Sequence, residues 1–187
     1  PPYVVYSDKN FTYKLQGFVC HNCKDLYGYT IERTYLLNGE RGRNGMIVPI
    51  SLVSTDGFES LRELMLRKTS NLYYSSYAMR PGKLFDGVDK HLTIFISSCG
   101  KSSQQYSSKY YRWNSEGREY LMPQIEYVNI EQNLKHNCSI PKISKTLQKA
   151  VLAKLKTNKG LQNYLTGSGL HTAFHTRKLR YFVQFLD

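Results

Sequence analysis

His91-Leu92-Thr93-Ile94-Phe95-Ile96 is the clearest strand in the chain, and the segments before it decide the fold class. Branched and aromatic residues fill the run, and a loop-like stretch from Arg80 to Lys90 precedes it. Working upstream, Asn71 to Met79 is aromatic and β-prone. Asp56-Gly57-Phe58-Glu59 has the form of a capping box. The helix it opens carries Phe58, Leu61, Leu64 and Met65 on one side and ends near Lys68. Met46-Ile47-Val48-Pro49-Ile50 predicts a short strand buried on both faces, with Pro49 near its end. Asp25 can cap a helix running to about Leu37, with Leu26, Tyr29, Arg33 and Leu36 or Leu37 at helical spacing. Asn38-Gly39 stops it. Pro1 to Val5 reads as the end of a strand entering a loop, and residues 6–24 look irregular. Helices and strands alternate, so the class is α/β.

Composition shifts after Gly100. Lys101 to Ser108 is rich in Ser and Gln and reads as a linker, after which a second, basic α+β unit begins. Lys142 to Thr157 predicts a helix with Ile143, Leu147, Val151 and Leu155 four apart. Lys145, Lys149, Lys154 and Lys156 cover its other faces. Leu179 to Leu186 reads as a strand. The expected division is therefore 1–100 and 101–187.

The length of 187 residues suits one domain, or one and a piece of another. Hydrophobic residues at 41% and charged residues at 21% exclude a disordered or collagen-like chain. No apolar run is long enough to span a membrane. The start, Pro1-Pro2-Tyr3-Val4-Val5, has neither signal-peptide character nor an initiator Met, and reads as a cut within a longer protein.

Lys and Arg total 26 against 14 acids, a net charge of +12. Residues 1–100 carry 12 bases and 9 acids, whereas residues 101–187 carry 14 bases and 5 acids. From Gln132 to Leu186 there are ten bases and no acid. Such one-sided charge fits a polyanion, because each neutralised phosphate releases condensed counterions. A solvated basic face is the plainer alternative. Cys20-His21-Asn22-Cys23 is a lone CxxC, and His171 and His175 lie far downstream. The short gap usual between zinc-ligand pairs is missing, so the expectation is no metal and reduced thiols in a cytoplasmic protein.

An ordered series of short motifs narrows the function. Pro1-Pro2-Tyr3-Val4 is followed by Asp25-Leu26-Tyr27-Gly28-Tyr29, then Gly42 and Gly45 with Met46-Ile47-Val48-Pro49. Ser54-Thr55-Asp56-Gly57-Phe58, Leu84-Phe85-Asp86-Gly87-Val88 and Thr93-Ile94-Phe95-Ile96 come next. The series resembles the N6-adenine DNA methyltransferases of the restriction–modification type, well over about 1–130 and more loosely to 187. The resemblance implies the C-terminal half of a Rossmann-like methyltransferase sheet, with a final antiparallel strand near 91–97. It also implies that Arg177-Lys178-Leu179-Arg180-Tyr181 opens the target-recognition region.

In that family the catalytic motif is Asn or Asp, then Pro, Pro and an aromatic residue. Pro1, Pro2 and Tyr3 match its last three positions. Adenine's exocyclic amine is a poor nucleophile because its lone pair is delocalised into the ring. Carbonyl acceptors, that of Pro1 among them, would favour tetrahedral character at nitrogen, and the two prolines would stiffen the turn that holds them. Tyr3 would stack on the base once it is flipped from the duplex. Phe85 would pack on the base's other side, or else anchor its loop. Lys90 would contact the nucleotide or a phosphate, or remain solvated. Leu26 and Tyr27 would touch S-adenosylmethionine, or else belong to the helix core.

The glycine-rich turn that holds this cofactor lies upstream of the motif in the family, and no such turn occurs here. The chain by itself is therefore expected to bind S-adenosylmethionine poorly and not to methylate. Lys109 and Arg112, interleaved with Tyr106, Tyr110, Tyr111 and Trp113, suit phosphates and exposed bases, or equally a domain seam. Lys145, Lys149, Lys154, Lys156, Arg177, Lys178 and Arg180 are the further candidates for contacts to double-stranded DNA. A nuclease would have to lie outside this chain. The rivals are a nucleic-acid-binding module on an inactive scaffold and a methyltransferase acting on RNA or on protein glutamine.

Overall fold

The computed structural model describes residues 2–7, 9, 11–131 and 139–158. It is mixed α/β, built on an open five-stranded sheet of order β1-β3-β2-β4-β5. The elements are α1 (Leu26–Leu37), β1 (Arg43–Pro49), α2 (Ser51–Ser54), α3 (Glu59–Lys68), β2 (Thr69–Tyr77) and β3 (Leu92–Cys99). They continue with β4 (Gln104–Tyr111), α4 (Arg118–Leu121), β5 (Val128–Asn129) and α5 (Thr146–Lys156). Two compact units divide the chain, Pro1–Lys149 and Ala150–Asp187. The expected strand over 179–186 lies outside the described residues, as do Cys138, His171 and His175.

Strand β3 is antiparallel to both its neighbours, β1 and β2, and lies between them. An antiparallel strand was expected near 91–97 as the last of the sheet, and β3 lies there, but β4 and β5 follow it in the same sheet. Pro49 closes β1, which is an edge strand. The Ile50 amide donates to the His91 carbonyl at 2.9 Å. Backbone groups alternate in direction along a strand, so Pro49 sits where its missing N–H would have pointed away from β3.

Alternation along the strands builds two cores, one on each face. Val48, Leu72, Tyr74 and Phe95 face a cluster with Tyr27, Ile31, Leu52, Phe58, Leu61 and Met65 from the helices. Tyr77, Leu92 and Tyr111 turn the other way and join Leu84 and Trp113. Tyr77 stacks beside Trp113 at 4.8 Å and beside Tyr111 at 5.9 Å.

Two segments differ from expectation. Gln104–Tyr111, most of it read as linker, is strand β4 and pairs in parallel with β2. Its polar residues Gln105, Ser107 and Ser108 are buried, and Ser107 Oγ donates to the Pro141 carbonyl at 2.6 Å. Residues 101–149 thus continue the same compact unit as residues 1–100. The helix expected from Lys142 begins at Thr146. Residues before it are held in place instead, because the Ile140 amide donates to Val53 O at 2.8 Å. Gln148 Oε1 then accepts the amides of Ser144 (2.9 Å) and Lys145 (3.2 Å), which is the reach-back half of a capping box.

Candidate nucleic-acid interface and aromatic site

The residues after Pro1 lie along the entrance to α1. Val5 bridges Asp25 in antiparallel fashion, and the Leu26 amide donates to Val4 O at 2.9 Å. This pairing turns the half-buried Tyr3 side chain toward β1, where its hydroxyl donates to the Ile47 carbonyl at 2.7 Å. The ring meets Tyr27 edge-on, with centroids 6.2 Å apart. Burial raises the Tyr3 phenol above its ordinary value, so it remains a donor at neutral pH. Tyr3 packs against both cores.

Tyr27 itself is fully buried. Its hydroxyl shares a 2.6 Å hydrogen bond with Ser51 Oγ, and its ring stacks on Phe58 at 5.1 Å. It supports Tyr3 from beneath and has no free surface. Leu26 is half-buried and lines a groove of about 410 Å³ with Pro2, Phe18, Thr30, Arg33 and Leu37. Pro1 lies outside the described residues.

The loop between β2 and β3 packs on the second core. Leu84 is buried in the second core, with half-buried Phe85 and Val88 packed against the same cluster. Tyr3 and Phe85 therefore share one aromatic cluster. The loop is fixed from outside by the Gly82 amide on Trp113 O (2.8 Å) and Arg118 Nη2 on Lys83 O (3.1 Å). Lys83 also pairs with Asp89 at 2.5 Å, although both are well exposed and such a pair stabilises little. Lys90 is exposed. Burial raises the Asp25 carboxyl above its ordinary range, and the Lys90 ammonium pulls it back down. Lys90 therefore lies within electrostatic reach of the helix entrance that carries the Val4–Leu26 pairing.

Basic residues continue along β4. Lys109 and Arg112 are exposed, with Lys109 Nζ 5.2 Å from the Tyr111 ring centre and Arg112 Cζ 6.0 Å from that of Tyr110. The Tyr110 hydroxyl meets His91 Nδ1 at 2.6 Å, and the same nitrogen accepts the Met79 amide at 3.3 Å. Lys145 stands 4.0 Å from Glu126, both mostly exposed, and Lys149 pairs with Glu131. In the second unit, Lys154 is exposed and Lys156 half-buried. Arg177, Lys178 and Arg180 lie outside the described residues.

Sequence reading assigned Arg118 no role and used His91 only as the start of a strand. It singled out Tyr110 for phosphates and bases or a seam, not as the partner of His91. The register that brings Tyr110 to His91 depends on β4 joining the sheet, which composition concealed. Cys20 and Cys23 are buried. Their thiols share a hydrogen bond that raises Cys20 and lowers Cys23, and Cys23 Sγ also lies 3.6 Å from the Asp25 carbonyl. Among the described residues no group of three or more His, Cys, Asp or Glu could hold a metal ion. Among them, too, no helix is long and apolar enough to cross a membrane.

No protein-family model matches the chain, and no curated protein does. Among solved structures, one described as a cryoEM structure of a DrdV–DNA complex matches 61% of this chain at a TM-score of 0.50 and 16% identity. The match spans 13% of that much longer chain. At that identity the likeness concerns the fold, a mixed α/β arrangement on an open sheet.

Proposed function

We propose that this chain is part of a site-specific DNA methyltransferase that acts on adenine N6 in duplex DNA, within a cytoplasmic restriction–modification system. In this reading residues 1–100 supply the second half of a Rossmann-like catalytic sheet. Residues 101–149, in which β4 joins the same sheet, would lead to the target-recognition region that begins after them. One observation carries the reading: Tyr3 of the Pro-Pro-Tyr motif and Phe85 of the loop pack on one aromatic cluster. The antiparallel β3 between β1 and β2, and the fold likeness to a chain solved with DNA, support it further.

S-adenosylmethionine, when bound, would supply an electrophilic methyl group. The residues here fit only the edge of such a site. Leu26 and Pro2 offer apolar groove surface, whereas buried Tyr27 holds Tyr3 and does not reach a ligand. Tyr3 would stack on the extruded base with its ring already oriented by the bond to Ile47. Phe85 would bound the base from the loop side, and Lys90 would attract the flanking phosphate. The carbonyl of Pro1 would accept an N–H of the adenine amine. Lys109 and Arg112, unlike ion-paired Lys149, are the strongest candidates for backbone phosphate contacts.

The test uses the full-length protein with methyl-labelled S-adenosylmethionine and unmethylated genomic DNA, digested afterwards to nucleosides. Label in N6-methyladenine, lost in Tyr3→Ala, is the expected result. Label in N4-methylcytosine would change the base. Label only in RNA or protein, or none at all, would overturn the reading. Intact duplex binding without label would leave a binding module on an inactive scaffold.

A further inference from the structure

At the far end of the sheet, where α3 gives way to β2 and β3 ends, lies a pocket of about 480 Å³. We propose that it is a binding site for a nucleoside diphosphate, independent of the proposed methyl transfer. Arg67, Lys68 and Lys101 bring three cations to it against one carboxylate, Glu40. All four are exposed, and among the described residues none of the three cations forms an ion pair. The rest of the wall includes Tyr35, buried, and Leu36, 56% exposed, from the last turn of α1, together with Gly39, Cys99 and Gly100. Three cations in one pocket with an aromatic and an aliphatic side chain suit a ligand with a phosphate tail and a planar body. The volume lies in the range of small-molecule sites.

A plainer account would have basic residues at the end of α3 offset the helix dipole. It covers Arg67 and Lys68 but not Lys101, which comes from a different segment. The carbonyls there are also already bonded. The Thr69 amide donates to Leu66 O, and the Gly100 amide donates to Lys68 O at 3.1 Å. Lys101 is held in place by its neighbours. The Ser103 amide reaches Thr69 O at 3.0 Å, and Ser102 Oγ reaches Ser70 O at 2.8 Å. Gly100 has φ +153°, and a Cβ there would come 2.7 Å from that of Ser70. The loop can therefore press on β2 only with glycine at that point. The backbone that presents Lys101 to the pocket is thus held in place, while its exposed side chain is free to reach a phosphate.

Titration calorimetry of the whole protein with adenosine diphosphate tests the site. Binding should weaken about tenfold in Lys101→Gln and in Arg67→Gln, the loss of one charge-assisted contact each. Both are substitutions of exposed side chains, so circular dichroism should be unchanged. Leu36→Asp should weaken the diphosphate more than inorganic phosphate. No binding of adenosine diphosphate, or binding indifferent to Lys101→Gln and Arg67→Gln, overturns the proposal. So does inorganic phosphate binding as tightly as the nucleotide. If the same two variants weaken duplex DNA while the nucleotide does not bind, the cations are backbone contacts and the nucleotide site is refuted.

Discussion

Tyr3 is tied at its tip and braced at its ring, and the two ties can be separated. Tyr3→Phe removes only the bond to the Ile47 carbonyl and should cost about 1 kcal/mol in urea unfolding. In the proposed reaction it should keep most methyl transfer, whereas Tyr3→Ala should lose it, because stacking needs the ring. Equal loss in both variants would argue that the hydroxyl, not the ring, matters. Asp25 gives a pH signature. Burial raises its folded carboxyl above the ordinary 3.8, so the folded state binds that proton more tightly than the unfolded chain. The stability it contributes is full below 3.8 and is lost as pH rises through the folded value. Asp25→Asn should therefore be the more stable protein at neutral pH, with the gain fading as pH falls through the raised folded value and gone below the ordinary 3.8. A gain independent of pH would refute the assignment. The motif made Tyr3 legible as a residue of interest. Its hydrogen-bond partner, 44 positions away, was not legible, because strand register is a tertiary property.

Helix α1 packs on the Cys20–Cys23 turn through Gly28. A Cβ at Gly28 would lie 2.4 Å from Cys23 Sγ and 3.4 Å from the Phe58 ring. Gly28→Ala should destabilise by about 1–3 kcal/mol through overpacking. Adding Cys23→Ala removes the obstructing sulfur and should recover much of that loss, a coupling readable in a double-mutant cycle. Strict additivity would show that the two do not meet. The CxxC spacing was weighed for zinc and read instead as reduced thiols, and its second sulfur is a packing partner of a helical glycine. Elements with apolar periodicity, α1, β1, α3 and β3, were legible within a few residues of their ends. Strand β4 was not. Its buried Ser and Gln residues carry no hydrophobic signal. Pairing with β2 satisfies its backbone and Pro141 the Ser107 hydroxyl, while the buried Gln105 side-chain amide finds no hydrogen-bond partner among the described residues. The start of α5 was displaced for a related reason, since Ile143 belongs to the segment before the helix.

Across the whole molecule, the excess charge was legible but its distribution was not. Lys145 and Lys149 partly spend theirs on Glu126 and Glu131, while Lys109 and Arg112 stand exposed over tyrosine rings. If the chain binds duplex DNA as proposed, Lys109→Gln with Arg112→Gln should lower the slope of log affinity against log salt by about 2. An unchanged slope would remove both from the interface. The α/β class followed from alternation of helix and strand signals, whereas the parallel pairing of β2 with β4 did not, because sequence order says little about which strands become neighbours. The placement of β3 has a further consequence during synthesis. Val48 pairs with Thr93, so β1 leaves the ribosome 45 residues ahead of the strand that will cover its inner edge. At ordinary translation speeds of about 5–20 residues per second, that interval is about 2–9 seconds. Throughout it the apolar run Met46 to Ile50 has no ladder to join, and the nascent chain is then most open to a chaperone or to a neighbour on the same polysome.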